Sequence, residues 1–263
     1  MNMKTAWNYT YKILIFLLSV GIIFEVHNLF HFIDKEQKEE TFSFPYNSFA
    51  YINVELTFTE SMTLPLPDEF PGSINSRGSG MVIGTTTTGN SAILTANHVC
   101  NPPPFSAMGW AIGFDKKITI TDFHGNKYNA TIVMTDLSDD LCVLEAEDMN
   151  IDGVPFSRQE PTIGKKVYTV AAPMAFFSPG MVPMFEGYYS GDIFSSQGLD
   201  SVYAIPAKEG SSGSSVLNED GEIIGVVHSS ISGLENIAIS STYPEVKAFL
   251  YEFENLFGGT LSH

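Results

Sequence analysis

From residue 48 onward the chain repeats one pattern. Short runs rich in Val, Ile, Thr, Phe and Tyr are broken at roughly 8–15-residue intervals by glycine, proline and asparagine. These runs fall at 48–59, 78–84, 91–96, 118–121, 127–134, 139–144, 167–171, 184–190, 201–205, 223–227 and 237–240. The runs at 78–84 and 91–96 flank a Thr/Gly/Asn turn and so predict a hairpin. No internal repeat is present, and no strand–helix–strand alternation that would build a parallel sheet. Helical spacing is convincing only near the C-terminal end. There Thr242-Tyr243-Pro244-Glu245 has the form of a capping box with proline in the first turn. Val246, Phe249, Leu250, Phe253, Leu256 and Phe257 follow at three- and four-residue spacing, and Gly258-Gly259 stops the pattern. The expected fold class is all-β, an antiparallel β-barrel protein with a C-terminal α-helix at 243–257.

The N-terminal segment does not fit that pattern. Lys4 and Lys12 precede an unbroken apolar run at 13–24, and a partly apolar stretch continues to Ile33. Twelve strongly apolar residues suit the core of a signal peptide. Extended to residue 33 the segment is long enough for a membrane anchor, although Glu25, His27, Asn28 and His31 weaken it. The expectation is an N-terminal hydrophobic helix, residues 1–33 acting as signal peptide or membrane anchor, then a polar linker at 34–45. Lysines before the run orient the remainder outward, so the protein is expected to be exported: periplasmic, extracellular or anchored with its body outside the cytoplasm. If residues 13–33 are not cleaved, the membrane is a partner through them.

Composition narrows the function classes. The 263 residues carry 13 basic and 30 acidic side chains, a net charge of −17. No cationic footprint exists for a phosphate backbone, so nucleic acid is excluded as a partner, and peripheral binding to anionic lipid is disfavoured. Hydrophobic residues make up 44% and charged residues 16%, enough to bury a sizeable core. No Cys/His/Asp spacing indicates a metal site, and no cofactor is expected.

Chemistry enters at Glu209-Gly210-Ser211-Ser212-Gly213-Ser214-Ser215-Val216. Two glycines bracketing a serine pair allow a sharp turn that presents a hydroxyl while nearby N–H groups converge on an oxyanion. Alone, the stretch reads equally well as a Gly/Ser turn between strands. A serine nucleophile needs a base and the base an orienting acid. Of the six histidines, His98 directly follows an apolar strand, and Asp140 opens another, where a carboxylate entering a core requires a partner. Asp139 is the competing carboxylate. His98, Asp140 and Ser212 run in the order His, Asp, Ser, the reverse of the α/β-hydrolase order. The G-x-S-x-G elbow of those enzymes also fails here, because position 214 is serine.

These motifs together resemble a trypsin-like (chymotrypsin-fold) serine protease of the HtrA and glutamyl-endopeptidase-like bacterial branch. Gly78-Ser79-Gly80 with Ile93-Leu94-Thr95-Ala96-Asn97-His98-Val99 is similar to "GSG…ILTNxHV", and Asp140-Leu141-Cys142-Val143-Leu144 to "DLAVL". Gly210-Ser211-Ser212-Gly213-Ser214 resembles "GNSGS", and Asn236–Ser241 resembles the "FAIPS" lead into the last helix. The resemblance covers about 46–257. It implies two antiparallel six-stranded barrels, an N-terminal one at about 46–150 and a C-terminal one at about 151–240. It also implies a serine endopeptidase acting on protein or peptide substrates. In that scheme Ser212 is nucleophile, His98 general base and Asp140 its orienter, and the backbone N–H groups of Gly210 and Ser212 form the oxyanion hole. The alternative is an inactive pseudoprotease that binds peptides or proteins.

Departures from the family carry their own expectations. Ser211 stands where trypsin has the aspartate that captures a freed N-terminus, so activation by that ion pair is not expected. The histidine that glutamyl endopeptidases place after the nucleophile strand falls one residue late, at His228, with Val227 in its place. Glutamyl specificity is therefore not expected. The substrate pocket is expected between Pro206–Glu209 and Val227–Ser230, named by Pro206, Glu209, Val227, His228 and Ser229, with a small or apolar residue at P1. No PDZ domain is expected after the helix. Cys100 and Cys142, the only cysteines, each lie two residues beyond a triad member, which makes them a disulfide candidate. Two buried thiols are the other reading.

Overall fold

The computed structural model describes residues 43–59, 73–102, 113–195, 198–231 and 233–262, together with 21 and 25. The expected N-terminal helix and linker lie outside the described residues, apart from 21, 25 and 43–45, as does the proline-rich stretch at 65–71. No helix among the described residues is long and apolar enough to cross a membrane.

Strand-forming runs at the start of the body close on themselves. β1 (Phe49–Thr59), β2 (Ser73–Thr85), β3 (Ser91–Ala96), β4 (Gly113–Asp122), β5 (Lys127–Asp136) and β6 (Leu141–Ala146) are ordered β1-β4-β5-β6-β3-β2. β2 pairs back onto β1, from Phe49 opposite Met81 to Thr57 opposite Ser73, and closes the barrel. Closure leaves no free edge, which is how an antiparallel sheet of this size avoids open pairing. Alternate residues point inward, and Ile52, Val54, Val82, Ile93, Ile120 and Leu144 fill the interior. All six residues of β3 are buried, because its outer face also meets the second barrel. A strand covered on both sides reads as a continuous apolar run.

The second barrel repeats the plan. β7 (Lys166–Val170), β8 (Met184–Phe194), β9 (Leu199–Tyr203), β10 (Ser215–Leu217), β11 (Ile223–Ile231) and β12 (Leu234–Ser241) close in the order β10-β11-β12-β9-β8-β7. Val167, Tyr189, Tyr203, Ile205, Val216, Ile224 and Val227 form its core. The expected two six-stranded antiparallel barrels are both present.

Two helices punctuate the sheets. α1 (Asn97–Cys100) is a single turn leaving β3, at a point where the sequence pattern shows only the end of a strand. α2 (Tyr243–Leu256) is the expected C-terminal helix, and its capping box is formed: Thr242 N donates to Glu245 Oε2 at 2.7 Å. It buries Tyr243, Val246, Phe249, Leu250 and Phe253, each worth roughly 1.5–3 kcal/mol of transfer free energy. Tyr243 also stacks on Phe156 at 5.0 Å and donates its hydroxyl to Ser157 O at 2.9 Å.

One element has no signal in the sequence pattern. After α2 the chain runs back to the first barrel, where β13 (Thr260–Leu261) pairs with β2 at Thr85 and Gly84. Ser262 N donates to Ile83 O at 2.8 Å and extends the contact. Gly84 has φ +155°, and a side chain there would run into the Thr260 carbonyl. The position therefore requires glycine.

Candidate active site

The end of β3 delivers His98. Ala96 is extended and the chain turns at once into α1, so the imidazole projects from the single helical turn that caps β3. Asp140 meets it from the turn before β6. That turn is held by Asp136, whose Oδ1 accepts from Ser138 N at 2.7 Å, Ser138 Oγ at 2.6 Å and Asp139 N at 3.1 Å. Burial would push the Asp136 carboxyl up, but these bonds hold it below the usual carboxylate range. The turn leaves Asp140 at φ +53°, a conformation aspartate tolerates better than most residues.

Three hydrogen bonds then lock histidine to aspartate. Asn97 N donates to Asp140 O at 2.9 Å, His98 N to Asp140 Oδ1 at 2.8 Å, and the His98 Nδ1–H to Asp140 Oδ2 at 2.6 Å. With its proton held on Nδ1, the ring keeps a free lone pair on Nε2. The His98 side chain is 40% exposed and that of Asp140 27%. Asp139 makes no hydrogen bond to the histidine among the described residues. Burial, together with the nearby charges of Glu245 and Asp136, pushes its carboxyl up, against a lowering bond from Ser138. Its main-chain oxygen accepts from Ser241 Oγ at 2.7 Å.

Cys100 and Cys142 are joined by a disulfide, Cα to Cα 6.7 Å, linking α1 to β6 two residues beyond His98 and Asp140.

The Gly/Ser stretch forms a tight loop leading into β10. Ser211 N donates to Lys208 O at 2.8 Å, Lys208 N to Ser211 Oγ at 3.2 Å, and Ser214 N to Ser211 O at 3.0 Å. Gly213 N and Val227 O, 2.6 Å apart, and Val227 N and Ser214 O, 2.9 Å apart, tie the loop to β11. Gly210 and Gly213 have φ of +90° and +84°. A Cβ on Gly213 would collide with Thr95 Oγ1 and the Ser79 carbonyl, so glycine is what lets this loop lie against the end of β3. Ser212 O accepts from Ser79 N at 2.8 Å, and a Cβ on Gly78 would sit 2.6 Å from Val99 and 3.0 Å from Ser212 O. The residue after His98 and the backbone of Ser212 thus converge on one glycine. Among the described residues, neither the Gly210 nor the Ser212 N–H has an acceptor, and Ser211, unlike Ser212, is buried.

Ser212 lines a cavity of about 150 Å³ with Ala207, Lys208, Glu209, Val227, Ser229 and Ser230. Glu209, Val227 and Ser229 were expected there. Pro206 is not among the lining residues. His228 faces a different, small cavity of about 30 Å³ behind Asp140, lined also by Asp139, Asp200, Ser241 and Glu245. Its Nε2 lies 3.2 Å from Asp200 Oδ1. The reason is local: β11 and β12 slip register between Val227 and Ser229, which makes His228 the extra residue of a bulge. No group of three or more His, Cys, Asp or Glu among the described residues could hold a metal ion.

Two contributors had no signal in the motif order. The Ser79 hydroxyl and the backbone N–H of Met174 both bind the main chain around Gly210. The serine was visible only as part of Gly78-Ser79-Gly80, and a backbone donor leaves no mark in side-chain chemistry.

Comparison with known proteins places this arrangement. Residues 78–226 match the family "Trypsin-like peptidase domain". Over 193 residues the chain is 27% identical to a Chlamydia pneumoniae protein named "Probable periplasmic serine endoprotease DegP-like", covering 72% of this chain and 36% of that protein. It thus spans about a third of that relative's length. Among solved structures it is similar in fold to a serine endoprotease from Yersinia pestis, with a TM-score of 0.55 at 18% identity, covering 79% of this chain and 62% of the other. On the family match, which runs from the glycine beside Val99 into β11 and so spans both the histidine turn and the Ser212 loop, the chain belongs to the trypsin-like peptidase family.

Proposed function

We propose that the protein is a serine endopeptidase that cleaves protein or peptide substrates outside the cytoplasm. The observation that supports this best is the His98–Asp140 lock, together with the partly exposed Ser212 on a loop whose Gly210 and Ser212 N–H groups have no acceptor among the described residues. Ser212 Oγ attacks the scissile carbonyl and His98 Nε2 accepts its proton. Asp140 holds the ring in the tautomer that can do so and stabilises the imidazolium that forms. The Gly210 and Ser212 N–H groups receive the oxyanion, a donor role worth about 10²–10³ in rate each. Collapse of the tetrahedral species expels the amine, which takes the proton from His98. Water then cleaves the acyl-enzyme by the same steps.

The cavity beside Ser212 is lined by Ala207 and Val227, by serines at 229 and 230, and by Lys208 and Glu209, which are both exposed. It fits a small or medium apolar P1 side chain. Export is supported by the relative named periplasmic and by the lysine-flanked apolar run at 13–24.

A fluorophosphonate probe tests the reading directly. Wild type is expected to be labelled, Ser212→Ala not, and peptide hydrolysis to disappear with the label. A wild type that stays unlabelled while still binding peptides would identify a pseudoprotease instead.

A further inference from the structure

We propose that Ser79, on β2 of the first barrel, is a positioning residue for the oxyanion site carried by the second barrel. The inference rests on the assignment of Gly210 and Ser212 made above. Ser79 is fully buried, 0% exposed, yet its side chain serves no apolar core. Its hydroxyl donates to Gly210 O at 2.8 Å and accepts from Ala172 N at 2.9 Å. Its backbone N–H donates to Ser212 O at 2.8 Å, and its carbonyl accepts from Thr95 Oγ1 at 2.8 Å. Three of these four bonds hold the loop of the proposed nucleophile or the segment packed against it.

That segment completes the arrangement. Met174 N donates to Glu209 O at 2.6 Å, two residues beyond the Ala172 that binds Ser79. A trans amide points its C=O and N–H in opposite directions. Holding the Glu209 carbonyl toward Met174 therefore turns the Gly210 N–H to the opposite face of the loop, where it has no acceptor among the described residues. Holding the Gly210 carbonyl on Ser79 fixes the next amide plane. Together the two bonds set both torsions of Gly210 at a conformation, φ +90°, that glycine adopts freely. If the Glu209–Gly210 amide turned over, a carbonyl would replace the N–H at the oxyanion position. The Met174 bond opposes that rotation at one plane and the Ser79 hydroxyl at the next.

Position 79 has little tolerance. A Cβ on Gly78 would lie 2.6 Å from Val99, and one on Gly80 2.9 Å from Ile93, so β2 is pressed against its neighbours on both sides of the serine. Removing the hydroxyl leaves a buried acceptor and a buried donor unpaired at once.

The test is a split between chemistry and binding. In Ser79→Ala, kcat is expected to fall by about 30-fold, part of what losing an oxyanion donor costs, with KM within about threefold. The affinity of a peptide aldehyde, which forms an oxyanion on Ser212, is expected to fall by the same factor as kcat/KM. Binding of the uncleaved peptide to Ser79→Ala/Ser212→Ala, by calorimetry, is expected to match Ser212→Ala alone, and Ser79→Cys to recover part of kcat. Wild-type kcat and aldehyde affinity in Ser79→Ala overturn the proposal. So does a loss of peptide binding equal to the loss of kcat, which marks a structural role only. If Ser79→Ala lacks a cooperative melting transition, an amide-to-ester replacement at Met174, which deletes that N–H and keeps every side chain, carries the test. The same replacement at Phe176 is the control for the weakened Pro173 carbonyl that Phe176 N binds. The same split is expected for the Met174 ester, and unchanged kcat there overturns the proposal. Absence of Ser212 labelling in wild type overturns the functional reading itself, and this inference with it.

Discussion

Asp140 accepts two hydrogen bonds from the same residue, one from the backbone N–H of His98 on Oδ1 at 2.8 Å and one from its ring Nδ1 on Oδ2 at 2.6 Å. The carboxylate fixes both where the histidine sits and which nitrogen carries the proton. Asp140→Asn keeps the size but offers an NH₂ where an acceptor is needed, which favours the wrong tautomer. Its kcat on a peptide substrate is expected to drop by about 10³–10⁴-fold, with the fold intact by circular dichroism. Asp139→Asn is expected to retain activity within about threefold, since among the described residues the His98 ring bonds Asp140 and not Asp139.

Asp139 carries a different prediction. Its carboxyl is pushed up by burial and by the charges of Glu245 and Asp136, so the folded state binds its proton more tightly than the unfolded chain does. Stability from this group is full below the ordinary aspartate range and is lost as pH rises through the raised value. Asp139→Asn should therefore melt higher than wild type at pH 7. The difference should shrink toward zero as pH falls to about 4. Equal shifts at both pH values in a thermal scan would count against this account.

The disulfide closes a 42-residue separation, which a loop-entropy estimate values at about 4 kcal/mol. Cys100→Ala/Cys142→Ala, or reduction of wild type, is expected to lower Tm by roughly 10 °C for a domain of this size. Activity should fall further than stability alone dictates, because α1 carries His98 and β6 begins directly after Asp140. Calorimetry paired with residual turnover well below Tm separates the two effects.

Gly213→Ala is expected to be the most damaging single methyl near the site. It adds a Cβ against Thr95 Oγ1 and the Ser79 carbonyl, at φ +84°. Backbone strain alone costs about 1–2 kcal/mol, and the loop must also retreat from β3. Urea denaturation should show at least about 2 kcal/mol lost, with hydrolysis abolished.

Specificity can be read from a peptide library. Val, Ala and Leu at P1 are expected to exceed Lys, Arg and Glu by at least about tenfold in kcat/KM. Val227→Ala widens the cavity wall and should move the preference toward larger apolar residues by a similar factor. A dominant basic or acidic P1 would refute the assignment of this cavity.

Much of the scaffold was legible because closed antiparallel strands leave period-two runs and turn residues in the sequence. His98 and Asp140 were legible because a polar side chain at a strand end stands out against an apolar run. The direction of His228 was not, since a one-residue bulge between Val227 and Ser229 re-aims it without changing composition. Nor was the αL conformation of Met174 and Ala175, which neither residue type favours and which only the loop's backbone bonds explain. Thr260–Leu261 gave no signal because two residues are too few to show a period.

That last pairing bears on the order in which the protein can be completed. The first barrel is made early, but the stretch of β2 at Gly84–Thr85 that receives β13 must wait for residues 260 and 261. By then every strand of the second barrel and the whole of α2 has emerged. The last pairing on β2 is therefore made only after the second barrel has been synthesised, and residues 84 and 85 cannot reach their final pairing before then.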